Sequence, residues 1–180
     1  MTRISFGTSG WRGILGEDFT YDNVKVVIQA IAENLIASGE HKNGVVISCD
    51  TRFMGQRFAR ESARVLAGAG ITAFLCERDT PTPVISFEIL RRKTAGGINF
   101  TASHNPPEYN GVKFSPSWGG PALPETTKDI EQRANKMLGT VCYKEPLLSE
   151  ATKSGLLVMI DPREEYLNDL ELKVDFEKIK

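Results

Sequence analysis

Residues 44–77 read GVVISCDTRFMGQRFARESARVLAGAGITAFLCE. GVVISCD is a short, β-branched apolar run, which suits a strand buried on both faces. ITAFLCE, from Ile71 to Glu77, is a second strand-like run. Between them Phe58, Ser62, Val65, Leu66 and Ala69 recur along one face of a helix that Gly68 and Gly70 close. The unit is strand, helix, strand.

The alternation continues on both sides. Val24, Val27, Ile28, Ile31 and Leu35 follow the i, i+3, i+4, i+7 rule, with Thr20 as N-cap and Gly39 as the stop. TPTPV opens a short helix with Ile85, Ile89 and Leu90 inward, proline being well placed in a first turn. GGINFTAS is a third strand, and GVKF, after an Asn110-Gly111 turn signal, reads as an antiparallel edge strand. A further helix covers 124–138, and 139–155 reads as a connector. GLLVMID then begins a fresh strand, and Pro162 starts a helix with Tyr166, Leu170 and Val174 or Phe176 on its apolar side. The expected fold is α/β: a three-layer α/β/α domain over 1–150 with a mixed, mostly parallel sheet. A lone strand–helix pair cannot bury two faces. Either 151–180 docks on the first domain or it opens a second, truncated one, and the second outcome is the expectation.

Composition narrows the function classes. The chain has 180 residues, enough for one full domain with some left over. Lys plus Arg (22) nearly balances Asp plus Glu (23), so no global field draws nucleic acid or an anionic membrane. Cys49, Cys76 and Cys142 lack metal-ligand spacing, and Cys49 and Cys76, in apolar strand-like runs, are expected to be buried, reduced thiols. The N-terminus has no apolar signal region, and no stretch approaches the ~18 apolar residues of a membrane span. Cytoplasmic residence is the default expectation.

Two stretches concentrate chemistry. TASHNPPEYNGVKF, from Thr101 to Phe114, lies at a strand's carboxyl end, where open α/β sheets form their ligand crevice. Asn105-Pro106-Pro107 stiffens the chain after Ser103, and strand alternation can return Lys113 beside that serine. A serine with lysine and imidazole nearby has a route to deprotonation and a counter-charge for an anion. The same letters are also ordinary loop composition. G-x-S-x-G is absent, which argues against an α/β-hydrolase site. FGTSGWRGI, from Phe6 to Ile14, offers exposed N–H groups, Thr8, Ser9 and Arg12, whose guanidinium suits bidentate phosphate contact. It is neither a Walker loop nor G-x-G-x-x-G.

Together, FGTSGWRG and TASHNPPEYNGVKF resemble the α-D-phosphohexomutases, the phosphoglucomutase/phosphomannomutase family. CDTRF and TPTP also look like that family's first domain, and DPREEYLNDL looks like the start of its second. The resemblance implies that Ser103 is a catalytic phosphoserine. It would donate its phosphoryl group to a hexose monophosphate, form a bound hexose 1,6-bisphosphate, and recover the other phosphate. It further implies Lys113 as general acid/base, Arg12 at the phosphoryl group, and His104 and Asn105 orienting serine and substrate. Arg52 joins as a supporting phosphate-site residue, and Thr8 and Ser9 as loop donors. Mg2+ would bind the phosphoserine, with Ser103 supplying one oxygen. The family's D-G-D-x-D-R magnesium loop, its sugar-reading loop and its phosphate-gripping loop do not occur in this sequence. The chain alone is therefore expected to show negligible mutase turnover. The competing expectation is a non-catalytic binding module that keeps the fold. The glucose/mannose group fits the spelling of the motifs better than the glucosamine branch.

Overall fold

Thr20 is extended (φ −106°, ψ 164°) and its hydroxyl accepts from the Asn23 N–H at 3.3 Å, so helix α1 (Tyr21–Ser38) starts with a satisfied donor. Gly39 ends it in the left-handed region (φ 79°), returning its N–H to the Ile36 carbonyl. The computed structural model describes residues 3–7 and 10–179, and the expected donors Thr8 and Ser9 lie outside the described residues. Strand β1 (Trp11–Ile14) precedes α1; then come β2 (Val45–Cys49), α2 (Gly55–Gly68), β3 (Ala73–Cys76), α3 (Thr82–Arg92) and β4 (Gly96–Phe100). The chain continues through β5 (Tyr109–Pro116), α4 (Pro124–Met137), α5 (Leu148–Lys153), β6 (Leu157–Ile160) and α6 (Arg163–Lys173).

The six strands form one mixed sheet in the order β1-β5-β4-β2-β3-β6. β4, β2, β3 and β6 run parallel, while β5 is antiparallel to both β4 and β1. Alternation along β2 feeds two cores. Val45, Ile47 and Cys49 join the core beneath α1 and α2, and Val46 joins Ile85 and Ile89 of α3 on the opposite face. α4 adds Ile130 and Ala134 to the first core, so helices cover both faces of the sheet. The three-layer expectation is met.

An aromatic cluster fixes the end of the sheet nearest the two motifs. Trp11 stacks on Phe19 at 4.8 Å, Phe19 meets Phe58 edge-on at 4.9 Å, and Phe58 stacks on Phe100 at 6.0 Å. These rings tie β1, α2 and the end of β4 together, each pair adding about 0.5–1.5 kcal/mol beyond area burial. The residues that follow or neighbour Trp11 and Phe100 inherit that rigidity.

Several readings change. WRGI is an edge strand rather than part of a loop, because β5 supplies its backbone partners in register from Trp11↔Val112 to Ile14↔Tyr109. β5 is therefore interior. Asn110-Gly111 lies inside β5 and makes no turn; a Cβ on Gly111 would fall 2.6 Å from the Thr101 carbonyl oxygen and 2.9 Å from that of Trp11. The glycine permits close strand approach. The expected connector contains α5, a six-residue helix with a single buried residue, Ala151. β6 pairs in parallel with β3 and completes the same sheet, so this strand docks on the first unit. α6 buries none of its residues, touching α3 where Tyr166 meets Phe87 at 5.5 Å.

Glu88 of α3 is fully buried, and both carboxylate oxygens accept from Arg91 and Arg92 one turn on. Burial alone would raise its pKa, but the two guanidinium groups outweigh it and hold the carboxyl below its usual value. A carboxyl whose folded pKa is depressed contributes stability above its unfolded pKa, about 4.3, and loses it as pH falls through the folded value. Thermal midpoints should therefore drop on acidification below about pH 4. Glu88→Gln should lower the neutral-pH midpoint and flatten that acid limb, as followed by circular dichroism melts. An acid limb of equal steepness in the variant would exclude Glu88 as its source.

Candidate active site

Ser103 follows β4 with a left-handed backbone (φ 58°), uncommon for a residue with a Cβ. Its N–H donates to Thr101 Oγ1 at 3.0 Å, and the Asn105 N–H closes a tight turn on the Ala102 carbonyl at 3.1 Å. Ala102 is buried while Ser103 and His104 are exposed, so the turn lifts the serine off the sheet. Ser103 Oγ lies 3.5 Å from His104 Nδ1, a long and weak contact.

The loop is gripped by Arg52. The sequence places Arg52 among phosphate-binding candidates; the structure occupies its guanidinium with backbone carbonyls instead. Nη2 donates to the Ser103 and Asn105 carbonyls at 3.0 and 2.6 Å, and Nη1 to those of Pro106 and Tyr109 at 2.8 and 3.0 Å. Asp50 steadies the arginine, Oδ2 lying 3.5 Å from Nε and Oδ1 accepting the Arg52 N–H at 2.9 Å. Arg52 reaches this loop because β2 is the sheet neighbour of β4, and the Asp50 N–H extends that ladder to the Phe100 carbonyl. Asn110 adds a second tie: its buried side chain donates to the Phe53 carbonyl at 3.2 Å and accepts from the Gly111 N–H at 2.8 Å.

Arg12 arrives from β1. Trp11 and Val112 face the aromatic core, so Arg12 and Lys113 emerge on the opposite face. Arg12 Nη1 donates to Asn105 Oδ1 at 2.7 Å, which joins the N-terminal motif to the serine loop. Lys113 is half-buried on the same face and lines a cavity of about 380 Å³ with Thr82 and Ser86 of α3. Its ammonium makes no hydrogen bond or ion pair with another described residue. Arg12 is thus linked to Asn105, Arg52 to Asn105 and Ser103, and Ser103 to His104, while Lys113 stands one strand position beyond the Trp11–Val112 pair.

The family model described as phosphoglucomutase/phosphomannomutase, alpha/beta/alpha domain I, matches residues 3–138. The chain belongs to the phosphoglucomutase/phosphomannomutase family. A phosphoglucomutase of Staphylococcus saprophyticus is 37% identical over 140 residues, covering 74% of this chain and 25% of that protein. A phosphoglucomutase of Komagataeibacter xylinus is 34% identical over 194 residues, covering 99% of this chain and 34% of the relative. The crystal structure of a "putative phosphomannomutase" from Thermus thermophilus superposes with a TM-score of 0.84 at 34% identity, over 98% of this chain and 37% of that one. The chain spans about a quarter to a third of the length of these curated relatives.

In this mutase-family domain no three His, Cys, Asp or Glu side chains converge as a metal site among the described residues. The described residues therefore do not fit a magnesium ion without further ligands. Sequence reasoning missed the grip of Arg52, the Thr101 hydroxyl beneath Ser103 and the buried Asn110. Their partners are backbone groups, which leave no pattern in side-chain spelling.

Proposed function

We propose that the chain is the serine-bearing part of a phosphohexomutase that interconverts hexose 1-phosphate and hexose 6-phosphate, with glucose or mannose as the sugar. In the first half-reaction a sugar hydroxyl oxygen bonds to the phosphorus carried by Ser103 as the bond from phosphorus to Oγ breaks. Lys113 takes the hydroxyl proton while the released, exposed Oγ takes one from solvent. In the second half-reaction Oγ gives up its proton as it bonds to the returning phosphorus, and Lys113 protonates the sugar oxygen set free. Arg12 presents guanidinium donors to the phosphoryl oxygens, held at the loop through Asn105, and His104 faces Oγ. The observation that carries this reading is the exposed, left-handed Ser103 on a turn gripped by Arg52 and joined to Arg12. Family membership supports a phosphosugar as the partner. The names of relatives include both phosphoglucomutase and phosphoglucosamine mutase, so the choice of glucose or mannose rests on motif spelling alone.

The test is mass spectrometry of the purified chain after incubation with glucose 1,6-bisphosphate and Mg2+. One added phosphoryl group mapping to Ser103, and none on Ser103→Ala, is the expected result. An unmodified serine in the chain and also in a longer version carrying the remaining domains would favour the non-catalytic binding module.

A further inference from the structure

Asn99 of β4 is a polar side chain for which the serine loop has no use, yet only 4% of its surface is exposed. Its Nδ2 donates to Thr82 Oγ1 at 2.9 Å, in the first turn of α3, while its Oδ1 is buried with no hydrogen-bond partner. A buried amide oxygen lacking a donor forfeits its hydration without replacement, so native folds retain few of them.

The strand register puts Lys113 directly opposite Asn99. Opposed residues of antiparallel strands point to the same face with Cβ atoms about 4.5–5.5 Å apart. The cavity confirms the shared face, since Lys113 and Thr82, the anchor of Asn99, both line it. One strand pair therefore sets a buried acceptor that lacks a donor beside an ammonium that carries three. Thr82's hydroxyl can donate or accept, so it does not dictate which way the amide lies. A neighbouring ammonium does dictate it, because it attracts the amide oxygen and repels the NH2.

We propose that Asn99 is a positioning residue for Lys113, its Oδ1 accepting a hydrogen bond from the ammonium and holding it at the cavity wall. Side-chain rotation of Lys113 suffices, with no backbone movement. A lysine side chain loses considerable rotamer freedom when it is held, and a fixed acceptor removes part of that cost before a substrate arrives. The use of this contact in acid/base chemistry rests on the mutase reading; the contact itself does not.

Nitrogen-detected NMR of the lysine ammonium groups in the isotopically labelled full chain tests it, with Lys113→Met assigning the signal. The Lys113 ammonium protons should exchange with water about tenfold more slowly than those of exposed lysines, which is the worth of one hydrogen bond to a charged group. Asn99→Leu should abolish that protection, and Asn99→Asp, which keeps the oxygen, should restore or increase it. If Asn99→Leu does not fold, Asn99→Asp decides alone: exchange no slower than at exposed lysines overturns the proposal. So does equal exchange in wild type and in Asn99→Leu with an unchanged backbone amide spectrum. No phosphosugar is present, so this failure leaves the serine phosphorylation result standing, and the reverse holds as well.

Discussion

Arg52→Lys should cost the domain about 2–4 kcal/mol and slow phosphoryl acceptance at Ser103 by a hundredfold or more. The guanidinium serves four carbonyls from Ser103, Asn105, Pro106 and Tyr109, and lies against Asp50 as well. A lysine is a compact cation with three donors and cannot span acceptors spread over seven residues, so conserving the charge does not conserve the grip. Hydrogen bonds to a charged donor contribute about 1.5–3 kcal/mol each, and several sharing one side chain do not add in full. The second figure follows because a displacement of about 1 Å at a reacting atom costs on the order of a hundredfold. Denaturant titration measures the first effect, and time-resolved mass spectrometry with the bisphosphate measures the second. A variant with wild-type stability but slow phosphorylation would place Arg52 at the phosphate after all. Full retention of both would remove it from the site.

Ser103→Gly should separate stability from function in opposite directions. The left-handed conformation costs a residue with a Cβ roughly 1–2 kcal/mol, and glycine adopts it freely. Part of the relief is offset by glycine's greater freedom in the unfolded chain, leaving a gain on the order of 0.5–1 kcal/mol. Phosphate incorporation should fall to nothing. Ser103→Ala is the control: equally unable to take phosphate, it keeps the strain and should melt no higher than wild type. The three-way comparison of melting midpoints and phosphate content shows whether the serine is held in a costly geometry. A glycine variant no more stable than the alanine one would mean the turn carries no strain. Strain of this kind persists where surrounding contacts over-determine it, and Arg52, Thr101 Oγ1 and the Asn105–Ala102 turn supply those contacts here.

The candidate site was only partly legible in the sequence. Ser103, His104 and Asn105 stand together in one short motif, and rigid punctuation around them announces a positioned loop. Arg12 was legible as a phosphate-type residue on a glycine-rich stretch, but its meeting with Asn105 was not, because that contact crosses ninety-three positions. Arg52 was read as a supporting phosphate-site residue from the CDTRF resemblance alone; its acceptors are backbone oxygens of the loop that follows the neighbouring strand. Asn99 carried no signal at all, since an asparagine inside an apolar run says nothing about what lies across the sheet.

The α/β class, the start and stop of α1, the start of α3 and the place of the Ser103 loop at a strand's carboxyl end follow from local order along the chain. Side-chain period, a capping hydroxyl and proline's fixed φ act within a few residues, so they are written where they operate. Strand order, the pairing of β1 and β6, the close approach at Gly111 and the grip of Arg52 were decided only in the tertiary structure. Each of these depends on contacts between segments far apart in sequence, whose free energy exists only once the sheet has brought them together.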